Sequence, residues 1–372
     1  MLTGLGIEGF KIHKSTELNL KNLNVFTGIN SSGKTSVIQS LLLLRQSHLS
    51  NTLSDGLQLN GNFCDIGLSN DAICRYADDD KITINLHEDD SQLQFVFGNK
   101  GSSIKDMIPL NDRVGDLTIL NKSAVFSNRF QYIGASRWEP RESYPLNTTL
   151  VELKNQISEE KGRCELVVHY LHQYGNNPIN EYLKQDGFDS LLLRDQVSAW
   201  ENVISKGVNV TVRPNGKSFV LKYSYANVVS HEFSPTNVGF GLSYALPIIV
   251  ALLSAKEGDL IIVENPETHL HPAGQSEIAK LIAYAAQIGV QVIVETHSDH
   301  IINGILVATK KFENGERGID KEKVNIVNFR KDESSQTSIA ESVSIIGDGK
   351  IDIQPEGFFD QTEKDLGYLL GF

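Results

Sequence analysis

Apolar positions fall along the chain in two rhythms. Leu5, Ile7 and Phe10 mark an opening strand, Leu18 and Leu20 alternate with polar residues in a second, and Leu23-Asn-Val-Phe-Thr27 makes a third that runs into Gly28. A helix is predicted from Lys34 to about His48. Its run Leu41 to Leu44 is apolar on every side, which places it in a core. Between 57 and 133 the period is two: Lys81-Ile-Thr-Ile-Asn-Leu86 and Gln92-Leu-Gln-Phe-Val-Phe97 read as half-buried antiparallel strands, flanked by acidic turns at Asp78 to Asp80 and Glu88 to Asp90. Short helices are expected over 150–206, with breaks at Gly175, Pro178 and Gly187, then strands over 208–224.

Helical and parallel-strand character resumes at Gly239. A buried helix is expected over Ser243 to Ser254, then the strand Leu260-Ile-Ile-Val263, a helix from Ala273 to Ile288 and the apolar strand Val290 to Val294. Apolar strands separated by a helix belong in a sheet covered on both faces. The pattern predicts one α/β core built from both ends of the chain around an inserted middle. The expected division is 1–56 and 236–310 for the core, 57–145 for an antiparallel β lobe, 146–235 for a mainly helical lobe and 311–372 for a small C-terminal domain. No heptad run extends far enough for a long coiled coil.

Composition narrows the function classes. The 372 residues carry 46 Asp+Glu against 34 Lys+Arg, a formal charge of -12, which argues against coating nucleic acid by bulk attraction. It leaves room for a local basic groove. Three cysteines without C-x-x-C spacing speak against a disulfide framework or thiolate zinc site and suit a reducing cytoplasm. The start lacks a signal-peptide apolar region, and the run Ala245 to Leu253 is half a membrane crossing. A cytoplasmic protein without a membrane partner is expected.

The chemistry begins at Gly28-Ile-Asn-Ser-Ser-Gly33-Lys34-Thr35, a complete G-x-x-x-x-G-K-[ST] between an apolar strand and a helix. Such a loop wraps phosphate oxygens with backbone N–H groups at a helix N-terminus. Asn30, Ser31, Ser32, Gly33, Lys34, Thr35 and Ser36 are the expected nucleotide-binding residues, with Lys34 on the β/γ-phosphates and the Thr35 hydroxyl in the Mg²⁺ shell. Glu264, at the end of an apolar strand, is the expected carboxylate partner of that metal. Glu267 follows in a turn bounded by Pro266 and Pro272. His269 and His271 have no obvious third metal ligand and read as junction residues. Glu295 and His297 follow the next strand, where His297 is placed to meet a γ-phosphate or an attacking water. Arg137 and Arg141 flank a Trp-Glu-Pro turn and read as structural, with phosphate or DNA contact as the alternative. Trp200 reads as packing.

Taken in order, the P-loop, Gly239-Phe-Gly-Leu-Ser-Tyr244, Val263-Glu-Asn-Pro-Glu-Thr-His-Leu-His-Pro272 and Glu295-Thr-His297-Ser resemble the nucleotide-binding core of the ABC-type ATPases of chromosome maintenance, recombination repair and overcoming lysogenization defect. With Tyr132-Ile-Gly-Ala-Ser-Arg137-Trp-Glu-Pro-Arg141 and the segment Gly349 to Asp360, the chain is most similar to bacterial predicted ATPases that carry the C-terminal domain of unknown function 3696. The resemblance implies a P-loop ABC-type ATPase head, a head-to-tail ATP sandwich and a Ser243 that contacts the γ-phosphate of the partner subunit. It places the general base one residue after the metal-binding acid, where this chain has Asn265. Asn orients water and accepts no proton at neutral pH. Glu267 and Glu295 are the substitutes, and slow hydrolysis is expected.

The expected function is an Mg²⁺-dependent ATPase, binding ATP as a homodimer or an oligomer of dimers, that gates a nucleic-acid-directed or anti-phage effector. The nuclease domain of the overcoming-lysogenization-defect proteins has no counterpart in the pattern, since Asp348, Asp352 and Asp360 read as loop residues. A separate effector, a nuclease among the options, would supply cleavage, and DNA or RNA contact stays open. An ATP-controlled scaffold or toxin regulator, or a DNA-repair ATPase, are the alternatives.

Overall fold

The computed structural model describes residues 1–98, 104–226, 231–352 and 361–371, with backbone alone for 361–364. Its centre is a six-stranded sheet in the order Ser338–Val343, Val324–Lys331, Leu23–Gly28, Gln291–Glu295, Leu260–Glu264 and Phe130–Ile133. Five neighbours run parallel, and Ser338–Val343 closes one edge antiparallel. Near-continuous apolar strands produce this because both faces are covered. Ile261 and Val263 enter one hydrophobic cluster while Leu260 and Ile262 enter the other.

A second six-stranded sheet is antiparallel: His13–Asn19, Leu2–Phe10, Lys81–Glu88, Ser91–Gly98, Met107–Gly115 and Gly56–Gln58. The helix Lys34–Leu49 fills the space between the two sheets, and Leu41 to Leu44 are all fully buried there. On the opposite face pack the helices Phe240–Ser254, Pro272–Gln287 and Asp299–Glu313. Around them lie the helices Val167–Tyr174 and Leu193–Ile204 and a small sheet built on the hairpin Val208–Asn215 and Ser218–Tyr225. Trp200 is buried in that layer, its indole N–H given to the Leu183 carbonyl at 3.0 Å.

Sheet membership crosses the boundaries expected from sequence. Leu2–Phe10 and His13–Asn19 join the antiparallel sheet, while Phe130–Ile133 belongs to the core sheet. The C-terminal segment enters the core too. Val324–Lys331 pairs in parallel with the P-loop strand, Asn328 opposite Thr27 and Phe329 opposite Gly28. Strand pairing over hundreds of residues leaves no local mark in a sequence. Asp348 and Asp352 lie in exposed turns at the C-terminal end, where Asp348 gives its N–H to Glu313 at 2.6 Å and Asp352 accepts the Ser344 N–H at 3.0 Å. Residues 353–360 of the tail motif, Asp360 included, lie outside the described residues. Among the described residues, no helix is long and apolar enough to cross a membrane.

Candidate functional site

The loop between Gly28 and Lys34 closes on itself at the C-terminal end of its strand. Gly28, Ser31 and Gly33 all take positive φ, at 129°, 62° and 110°. A side chain at 28 would drive its Cβ to 2.0 Å from the Phe329 carbonyl oxygen, so close approach of the neighbouring strand requires glycine. Ser32 Oγ donates to the Ile29 carbonyl at 2.8 Å, and Lys34 Nζ donates to the Gly28 and Ile29 carbonyls at 2.9 and 2.8 Å. Ser32, Gly33 and Lys34 are buried, Asn30, Ser31 and Thr35 are exposed, and Ser36 is half-buried.

Two carboxylates end adjacent strands in register, Glu264 beside Glu295. They have different partners. Thr35 Oγ1 donates to Glu295 Oε1 at 2.8 Å, whereas Glu264 accepts from the Tyr132 hydroxyl at 3.0 Å and the Ala135 N–H at 3.2 Å. The acid at the Thr35 hydroxyl is therefore Glu295, because its strand lies next to the P-loop strand and that of Glu264 lies one further out. Burial, then the Glu264 charge, pushes the Glu295 carboxyl up to about 7, against the Thr35 hydrogen bond and the Lys34 charge. Burial raises Glu264 as well and lowers Lys34. Glu295 Oε2 is buried without a hydrogen-bond partner.

Asn265 sits at φ 45° and gives its N–H to the Glu295 carbonyl at 2.8 Å, stitching the two strand ends together. Its side-chain amide turns toward Glu267, 3.5 Å away. Glu267 accepts from Thr296 Oγ1 at 2.8 Å and from the His297 N–H at 3.0 Å, so it braces the loop that carries His297. The exposed His297 ring faces the backbone of Gly28, and its pKa is lowered by partial burial and by Lys34. Arg137, buried, donates to the carbonyls of Glu264 and Asn265 at 2.8 and 2.7 Å, and Arg141 stacks over Trp138 at 4.0 Å. His271 accepts the Ala273 N–H at the start of its helix, and His269 packs edge-on against Tyr244.

Ser243 stands apart from this group. It lies in the second turn of Phe240–Ser254 and is buried, its hydroxyl facing that of Tyr223 without completing a hydrogen bond. The exposed residues at that helix end include Asn237, Gly239 and Phe240, and Gly239 opens onto empty space. Helical periodicity turns the fourth helical residue inward.

Two residues absent from the sequence reading touch the P-loop. His13 Nε2 lies 3.0 Å from the Gly33 carbonyl, and Ser338 Oγ donates to the Ser32 carbonyl at 2.6 Å. Neither belongs to a motif; only the tertiary pairing of distant strands brings them there.

Three family profiles match the chain. The profile described as AAA ATPase domain matches residues 1–134, and the profile described as AAA domain, candidate AbiEii toxin, Type IV TA system, matches residues 150–303. Residues 319–369 match Protein of unknown function (DUF3696). The chain thus carries matches to AAA-type ATPase domains in its first two parts and to a DUF3696 region at its C-terminal end. Nucleotide binding at a P-loop follows from those domains.

No curated protein matches this ATPase significantly in sequence. Among solved structures, it is similar to an SmcHead bound to the C-winged helix domain of ScpA, with 15% identity, a TM-score of 0.57, and coverage of 93% of this chain and 98% of that one. It is also similar to an Smc head domain with an extended coiled coil bound to the C-terminal domain of ScpA derived from Pyrococcus furiosus, with 12% identity, a TM-score of 0.51 and 99% coverage of both chains. At these identities the likeness is one of fold.

Proposed function

We propose that the chain is an Mg²⁺-dependent ATPase whose working acid is Glu295. The observation that carries this reading is the Thr35–Glu295 hydrogen bond at 2.8 Å beside a buried carboxylate oxygen that has no partner. That oxygen and the Thr35 hydroxyl are hard donors, which suit Mg²⁺ held largely by nucleotide and water. Thr35 and Glu295 would hold the ion, with Glu264 behind them. Bound Mg²⁺ would neutralise phosphate charge as the terminal phosphoryl group leaves. Lys34 would exchange its two backbone carbonyls for phosphate oxygens. Glu267 positions His297, and Asn265 ties the two acidic strands.

Switching by head-to-tail pairing is part of the same reading. The group presented to a second copy is the exposed helix start at Asn237, Gly239 and Phe240, because Ser243 is committed to the interior. Open space around Gly239 lets Gly239→Arg fold and bind ATP as wild type, within about 0.5 kcal/mol in stability. We expect it to lose ATP-dependent dimerisation, read by light scattering with Mg²⁺ and ATP. A variant that dimerises normally would remove this face from the interface.

Control of a separate effector, in defence or nucleic-acid processing, is the expected output. The solved Smc heads bound to ScpA domains support a partner-binding head. A second reading, a toxin regulator with little turnover, is favoured by Asn265 at the usual base position and by the AbiEii-type match. Stable ATP complexes without turnover would select it.

A further inference from the structure

We propose that His13 and Ser338 are positioning residues of the nucleotide site, which hold the Ser32 and Gly33 carbonyls from behind so that the next two amide N–H groups face the phosphates. This rests on the reading of the P-loop as a nucleotide site. In a trans peptide the C=O and the following N–H point in opposite directions. Fixing the Ser32 oxygen therefore aims the Gly33 N–H, and fixing the Gly33 oxygen aims the Lys34 N–H.

Ser338 Oγ reaches the Ser32 oxygen at 2.6 Å in a buried setting, and Ser338 N–H is tied to the Ile12 carbonyl at 2.8 Å. His13 is fully buried between that loop and Phe329, its ring edge-on to the phenyl at 6.3 Å. A carbonyl only accepts, so Nε2 carries the proton toward Gly33, and Nδ1 accepts from the Thr16 hydroxyl at 2.9 Å. Both imidazole nitrogens are used, which fixes the ring. The Val37 N–H also reaches the Gly33 oxygen, at 3.2 Å, so the carbonyl is held from the helix as well.

Gly33 shows how tightly the two donors press. A Cβ there would stand 2.7 Å from His13 Nε2 and 2.8 Å from Ser338 Oγ. The missing side chain at 33 is what lets both donors reach the loop backbone. His13 comes from the N-terminal hairpin and Ser338 from the matched region 319–369. The region of unknown function thus acts on nucleotide affinity through one hydroxyl.

The test is equilibrium binding of ATP with Mg²⁺ to the full chain, alongside steady-state kinetics and the ligand-free melting temperature. Each lost hydrogen bond weakens ATP binding by about fivefold for Ser338→Ala and about tenfold for His13→Phe. His13→Gln, which restores a side-chain donor, recovers most of the loss. KM rises in both variants while kcat at saturation stays close to wild type, and any fall in the ligand-free melting temperature is modest. A purely structural role would lower the melting temperature and leave affinity alone. Unchanged affinity in Ser338→Ala and His13→Phe, with binding strongly weakened in Lys34→Ala, overturns the positioning role and keeps the nucleotide site. Wild-type ATP binding by Lys34→Ala overturns both.

Discussion

Around the P-loop, buried polar groups are paired almost to the last atom; beneath the helix Phe240–Ser254, three of them are not. Ser32, Gly33, Lys34 and Thr35 find partners in His13, Ser338, Glu295 and the loop's own carbonyls, and Glu295 Oε2 is left over at the edge of the site. Under the other helix, Glu201, Tyr223 and Ser243 are buried with side-chain oxygens that have no partner. Glu201 lies fully inside, and burial alone drives its pKa well above the ordinary carboxylate value. Burial first, and Glu201 second, raise the Tyr223 phenol. An unmet group at the edge of an anion-binding loop is available to a ligand. Unmet groups sealed in a core only cost stability. One arrangement is built around something that arrives, and the other has nothing to receive.

Three measurements sharpen that contrast. The largest effect belongs to Lys34→Ala, which removes the one cation inside the loop. ATP affinity measured by titration calorimetry falls about 100-fold, as expected for hydrogen bonds to charged groups. Next comes Glu201→Gln. The folded protein keeps the Glu201 proton above pH 4.5 while the unfolded chain gives it up, so this residue's contribution to stability is full in acid and falls as pH rises. Over that window the slope approaches about 1.4 kcal/mol per pH unit. Urea unfolding between pH 5 and 8 shows it in wild type, on top of the smaller slope from the raised Glu295 carboxyl, and Glu201→Gln reduces it and raises stability at pH 8. A wild-type slope that persists unchanged in the variant removes Glu201 as its source. The smallest effect is that of Ser243→Ala, which deletes an unpaired hydroxyl. It gains up to about 1 kcal/mol in the same assay and leaves ATP-dependent dimerisation intact. Loss of dimerisation would return Ser243 to the interface.

Much of the P-loop half of this comparison is legible in the sequence. Gly28 to Thr35 announces itself, the strands flanking it are apolar runs of the right length, and Glu264, Asn265, Glu267, Glu295 and His297 all gather at the ends of adjacent strands. Which acid faces Thr35 is not legible. Glu264 and Glu295 both follow apolar strands, and only the sheet order puts one of them next to the P-loop strand. His13 and Ser338 carry no motif, since their role depends on a hairpin and an edge strand separated by some 300 residues meeting at one loop. The surroundings of Ser243 are not legible either. The resemblance implies a contact across a dimer, whereas the helix that begins at Phe240 turns the side chain inward in the single chain. The boundary expected at 310 fails to mark the core for the same reason as Ser338: parallel pairing with Leu23–Gly28 recruits Val324–Lys331 from far along the chain.

The most direct test of the central claim is steady-state ATP turnover with Mg²⁺ in wild type, Glu295→Gln and Glu264→Gln, with ATP binding measured on the same samples. The account predicts that Glu295→Gln binds ATP but, with the metal less well held, loses about 100-fold in kcat. Glu264→Gln, whose carboxylate already serves Tyr132 and Ala135, loses far less. Wild-type turnover in Glu295→Gln, or a collapse confined to Glu264→Gln, would contradict it.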